Sequence, residues 1–170
     1  ANIRSSAKHG KHNGAIGLMV TDWGDNGHLQ PLLSSYPGFV HGAVNAWQAD
    51  SNNSIELTLD KFVFNGSGWG QLLLELGNLD KPLGIYIHNH SILYKLLQSS
   101  PDEIKNRSDI NLTKLKSVLE MAESISDRIT ALSIAHPTDS IFEKEFKWVT
   151  DILTHACHRG LAIHNLSHLD

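Results

Sequence analysis

One short apolar run constrains this chain more than any other feature. Ala15-Ile16-Gly17-Leu18-Met19-Val20 follows Asn13-Gly14 and leads into Thr21-Asp22-Trp23-Gly24-Asp25-Asn26-Gly27-His28-Leu29-Gln30. An apolar stretch this short, bounded by turn residues on both sides, reads as a buried strand. A strand that ends in a polar turn and hands over to a helix is how parallel α/β proteins present their working groups. Nearly everything downstream has helical periodicity instead.

Residues 2–12 predict a helix closed by Asn13-Gly14, with Gly14 suited to the left-handed position past a helix end. Residues 37–48 carry Phe39, Val40, Ala43, Val44 and Trp47 at amphipathic helical spacing, and Pro37 fits the first turn. The polar loop Asp50–Ser54 offers an N-cap to a short helix through Ile55, Leu57, Leu59, Phe62 and Val63, ending at Asn65-Gly66. An apolar stretch at 69–76 ends at Gly77-Asn78, and Ile87, Ile92, Leu93, Leu96 and Leu97 predict a helix over 86–98. Ser99-Ser100-Pro101-Asp102-Glu103 reads as a loop and a new helix start. Thr113 is the expected cap of a helix over 114–135 that His136-Pro137 stops. Ser140 is the expected cap of another over 141–160, with Phe142, Phe146, Val149, Leu153 and Ala156 as its seam and Arg159-Gly160 as its end or kink. These last two helices are expected to pack antiparallel.

The expected fold is therefore mainly α: a multi-helix, bundle-like domain preceded by one short β-strand at 15–21. A lone strand is physically uncomfortable, because its backbone donors and acceptors need partners. The strand is expected to pair with another chain or copy, or to lose its regular form. The simplest origin for it is the final strand of a larger α/β domain, with the chain opening at Ala1 as if from the middle of a protein.

Composition closes off other classes. A chain of 170 residues is about one domain. Its net charge of −4 and scattered Lys and Arg argue against a nucleic-acid or membrane surface. The opening residues lack a signal-peptide pattern. The single cysteine, Cys157, excludes an intramolecular disulfide and sits in an apolar helical register, as a buried, inert thiol does. These features favour a bacterial cytoplasm over secretion. Six Asn-x-Ser/Thr triplets, such as Asn65-Gly66-Ser67, are coincidental in a chain this rich in Asn and Ser.

The chemistry concentrates at 22–30. Asp22, Trp23, Asp25, Asn26, His28 and Gln30 can face a ligand: carboxylates accept from sugar hydroxyls, amides donate and accept, and an indole stacks on a pyranose face. The same residues also make an ordinary self-capping Gly-rich turn. A calcium loop fails, because Gly24 and Leu33 stand where side-chain oxygens are required. His88-Asn89-His90 superficially resembles a nuclease motif, and His155 and His158 share a helix face, but no second ligand pair accompanies either. No metal or other cofactor is expected. Asp102-Glu103 fits a helix-capping role better than a catalytic one.

The stretch Val20–His28, with Gln30-Pro31 and Ser35-Tyr36-Pro37-Gly38-Phe39, resembles the last-strand region of proteins related to glycoside hydrolase family 20, the β-N-acetylhexosaminidases. Leu72–Asn78 and His155–Leu161 resemble the helical tail of the same proteins. The resemblance implies that residues 1–50 are the final helix-strand-helix segment of a (β/α)8 barrel and 51–170 a C-terminal helical domain. It implies that Trp23 walls an N-acetylhexosamine pocket and that Asp25, in place of the family's Glu, hydrogen-bonds outer ring hydroxyls. Asn26, His28 and Gln30 are expected as rim support. The family's Asp-Glu pair for substrate-assisted hydrolysis belongs to an upstream strand, so this chain is expected to be inactive alone, with an N-acetylhexosamine-containing glycan and an upstream barrel as partners. Association of copies through the exposed strand is a further expectation. Two other functions stay open: a helical protein-interaction module without catalysis, and a metal-dependent nuclease through His88 and His90.

Overall fold

The structure, a computed structural model, describes residues 2–23, 29–49, 52–66, 68–135 and 140–166. The described residues are mainly helical: α1 Asn2–His12, α2 Tyr36–Trp47, α3 Ile55–Phe62, α4 Trp69–Leu76, α5 Ile92–Gln98, α6 Pro101–Lys105, α7 Leu112–Ala135 and α8 Ser140–Leu166, with short 3-10 turns at Leu32–Ser35 and Lys81–Leu83. The chain divides into two compact units, Ala1–Leu74 and Glu75–Asp170.

In the first unit, α1 ends as its sequence dictates. Gly14 takes φ +77°, and the Ala15 N–H turns back to the Gly10 carbonyl at 2.9 Å. Helix α2 carries Pro37 in its first turn. Ser54 caps α3, its hydroxyl accepting from the Leu57 N–H at 3.3 Å. The Asp60 carboxylate accepts from the Gly70 N–H at 2.7 Å, which ties α3 to the first turn of α4. Gly70 is needed there: a Cβ on it would lie 2.5 Å from the Glu56 carbonyl oxygen and 2.9 Å from Leu59 Cβ. Leu33, Leu59, Trp69 and Leu72 are fully buried.

The second unit is built on the α7–α8 hairpin. A Cβ on Gly160 would meet Leu115 Cδ2 at 3.0 Å and Leu96 Cδ1 at 2.9 Å. The start of α7 therefore lies against the end of α8, and the two run antiparallel as expected. Leu115, Val118, Ala122, Ile125 and Ile129 form the buried stripe of α7, and Phe146, Ala156 and Cys157 are fully buried on α8. Arg159 donates to the Leu96 carbonyl and, at 2.7 Å, to the Ser99 carbonyl, so it caps the C-terminus of α5. A capping box starts α6: the Ser100 hydroxyl accepts from the Glu103 N–H at 3.3 Å, and the Glu103 carboxylate accepts from the Ser100 N–H at 2.8 Å.

Several expectations are corrected. The strand over 15–21 is not formed: those residues carry no regular secondary structure. Among the described residues, no hydrogen bond reaches the backbone of 16–22. Without a partner strand, water satisfies those groups as well as any fixed geometry does, so nothing holds a β conformation. The stripe Phe39, Ala43 and Trp47 is exposed rather than buried; α2 buries Gly42 and Asn45 instead. The helix predicted over 86–98 begins only at Ile92, because Ser91 caps it, accepting from the Leu93 N–H at 3.1 Å. Ile87 and His90 pair across a tight turn in which Asn89 takes φ +58°. Asn111 rather than Thr113 caps α7, its Oδ1 accepting from the Lys114 N–H at 3.0 Å. Gly160 neither ends nor interrupts α8, which runs on to Leu166.

Candidate functional site

The loop after the apolar run is held at its N-terminal end against α2 and its lead-in. Val20 is half-buried over α2, where a Cβ on Gly42 would collide with its side chain. Glycine is therefore the residue that lets the run approach the helix. Two residues later, Asp22 Oδ2 accepts from the Ser35 hydroxyl at 2.5 Å, at the lead-in to α2. Position 20 meets 42 and position 22 meets 35, so the run and α2 travel in opposite directions. Trp23 is 74% exposed, and its indole N–H donates to Thr21 Oγ1 at 2.9 Å. The polar edge of the ring is thus satisfied within the chain, and much of the indole is left for a ligand.

Of the residues the sequence points to, the structure describes Asp22, Trp23 and Gln30, and all three are exposed. Asp25, Asn26 and His28 lie outside the described residues. Sequence reasoning missed Ser35 as the partner of Asp22. The two are 13 positions apart, and no local signal links them. It also missed Asn45, a buried polar residue on α2. Its Nδ2 donates to the His41 carbonyl at 2.8 Å, and its Oδ1 has no partner among the described residues.

The other chemical candidates stand apart. His88 and His90 sit on the Ile87–His90 turn: His88 Nδ1 lies 3.5 Å from the Tyr86 hydroxyl, and His90 Nδ1 is 2.6 Å from the Asn89 carbonyl. The His90 ring also meets Tyr94 edge-on at 5.4 Å. His155 and His158 are exposed on α8. No group of three or more potential metal ligands converges among the described residues. Glu103, as the capping box requires, accepts from the Ser100 N–H, and this holds its carboxyl below the ordinary glutamate range. Cys157 is fully buried, and burial alone pushes its thiol up to about 11, so it is not a nucleophile at neutral pH. Among the described residues, no helix is long and apolar enough to cross a membrane.

No protein-family model, curated protein or solved structure matches this chain.

Proposed function

We propose that this chain is the C-terminal portion of a glycosidase related to glycoside hydrolase family 20, contributing one wall of a pocket for an N-acetylhexosamine ring. On this reading residues 1–50 are the closing helix-strand-helix segment of a (β/α)8 barrel. The observation that carries the reading is the way the apolar run meets α2. Val20 and Asp22, both even-numbered, are the contacts to α2 and its lead-in. In a barrel the helices lie outside, so if the run takes strand form there, the odd-numbered Trp23 would face the interior where sugars bind. The exposed indole of Trp23, with its N–H already satisfied, suits stacking on a pyranose. Asp25 would accept from ring hydroxyls, with Asn26, His28 and Gln30 at the rim.

The chain by itself binds sugar weakly and hydrolyses nothing, because no Asp-Glu pair accompanies the loop; Asp102-Glu103 is committed to capping α6. The test is a titration of the 15N-labelled chain with N-acetylglucosamine and, in parallel, with glucose. The Trp23 indole resonance should move with the N-acetyl sugar at concentrations on the order of millimolar, and Trp23→Ala should abolish the response elsewhere in residues 20–30. An unmoved indole, or equal responses to both sugars, counts against the pocket. Release of a chromogenic N-acetylglucosaminide by the purified chain would refute the assignment of catalysis to an upstream strand.

The alternative, a helical protein-interaction module, draws support from the apolar side chains left on the surface, among them Trp47 at 94% exposure. It predicts no sugar response at all.

A further inference from the structure

The run at 15–21 has a property that the sugar-binding reading does not use. From His12 to Thr21 no residue is Asp, Glu, Lys or Arg, and none is proline. Among the described residues, nothing bonds to the backbone of 16–22. Ile16 and Met19 are almost wholly exposed, at 108% and 84%. Charges and prolines are devices by which proteins blunt a free strand edge, and the run has neither; α2 covers the Val20 side chain but no described group bonds the backbone edge.

Its side-chain order also fits one occupant better than others. In antiparallel pairing of two copies about a two-fold axis through Leu18, Ile16 stands opposite Val20 of the second copy and Leu18 opposite itself. Gly17 then stands opposite Met19. One face becomes six aliphatic side chains, three from each copy. On the other, each Met19 lies over the space left by the opposing Gly17, a cross-strand pairing of large on small. Asp22 falls opposite Gly14, so no like charges meet. Parallel in-register pairing would instead place Asp22 beside Asp22 and Met19 beside Met19. We propose that residues 16–20 are a strand-addition surface whose occupant is a second copy of this chain, antiparallel and centred on Leu18. The two runs gain their β structure from each other. The strands of an upstream barrel would take the same edges, so this pairing belongs to residues 1–170 by themselves and stands if the barrel reading fails.

Disulfide trapping with sedimentation tests it. Leu18 lies on the axis, so Leu18→Cys should cross-link efficiently to its copy, because directly opposed positions are within disulfide reach. Ile16→Cys should not, since the two copies of that position would be about 13 Å apart along the strands. The native Cys157 is fully buried and does not interfere. Sedimentation of the unmodified chain should show a dimer, and Met19→Lys should weaken it about tenfold or more. Helical content should not change, because position 19 is on the surface. A chain that is monomeric at all concentrations overturns the proposal. So does a dimer indifferent to Met19→Lys, which would be held by another face, and so does equal cross-linking through positions 16 and 18.

Discussion

The two units bury themselves very differently. In Glu75–Asp170, a 24-residue helix and a 27-residue helix close on each other, and a glycine at position 160 lets Leu96 and Leu115 approach the backbone. Every helix start described in detail there has a polar cap. In Ala1–Leu74 the core rests on a few fully buried side chains, while Ile16, Met19, Trp23, Leu32 and Trp47 remain largely in water. Both units obey the same local rules of capping and periodicity. What differs is how much of the apolar surface those rules create finds a counterpart within the unit: the second leaves Tyr86, Ile134 and Trp148 in water, the first leaves more, and leaves an extended run as well. Helices satisfy their own backbone and need only a packing face; an extended run needs a neighbour for its hydrogen bonds as well.

The sharpest way to break this contrast is to cut into each unit equally. Phe146→Ala removes a fully buried ring from α8 and should cost about 3–5 kcal/mol. Trp47→Ala removes a larger ring that is 94% exposed and should change stability by less than about 0.5 kcal/mol. Denaturant titration of both variants decides the matter. A large loss from Trp47→Ala would mean that α2 buries that face after all.

Gly70→Ala probes how tightly the smaller core is made. The new Cβ would press on backbone rather than on a movable side-chain tip, so a loss of about 1–3 kcal/mol is expected. A neutral result would show that α3 and α4 can slide apart at no cost.

The cap of α6 should matter less. Ser100→Ala removes the hydroxyl that accepts the Glu103 N–H and should cost about 1 kcal/mol. The same capping box sets a pH dependence. Glu103 is held below its ordinary value of 4.5, so its contribution is complete above that value and is lost as pH falls through the lowered one. Glu103→Gln should flatten that part of the acid limb, as thermal melts between neutral and acidic pH would show. A loss smaller than that of the cap belongs to Arg128. It pairs with both carboxylate oxygens of Glu75 but remains part-exposed, so Arg128→Ala should cost less than about 1 kcal/mol and the loss should shrink further in high salt.

Much of the helical architecture was legible because its signals are local. Gly14, Pro37, Ser54 and Ser100 do at their positions what their chemistry does anywhere, and the apolar spacing from Leu115 to Ile129 reports one face of a helix. The misreadings share a cause in contacts distant along the chain. Gly160 read as a helix stop because sequence does not show Leu96 and Leu115 arriving beside it. Phe39 and Trp47 read as core because periodicity reports that a face is apolar, not that anything covers it. Ile87 was absorbed into a helix because the Ile87–His90 turn competes with helix only through Asn89's left-handed backbone and the Ser91 cap. In the candidate site, Trp23 was legible as an exposed aromatic in a polar loop, whereas the Ser35–Asp22 bond that fastens the loop to α2 was not.

The central claim is that one stretch of chain leaves its backbone open while α7 and α8 satisfy theirs along their interiors. Amide hydrogen exchange at high dilution, where copies do not meet, tests it most directly. The amides of residues 16–22 should exchange at nearly the rate of an unstructured peptide, while those of 115–129 exchange only through opening of the hairpin. Protection of 16–22 comparable to that of α7 in the dilute chain would contradict the account.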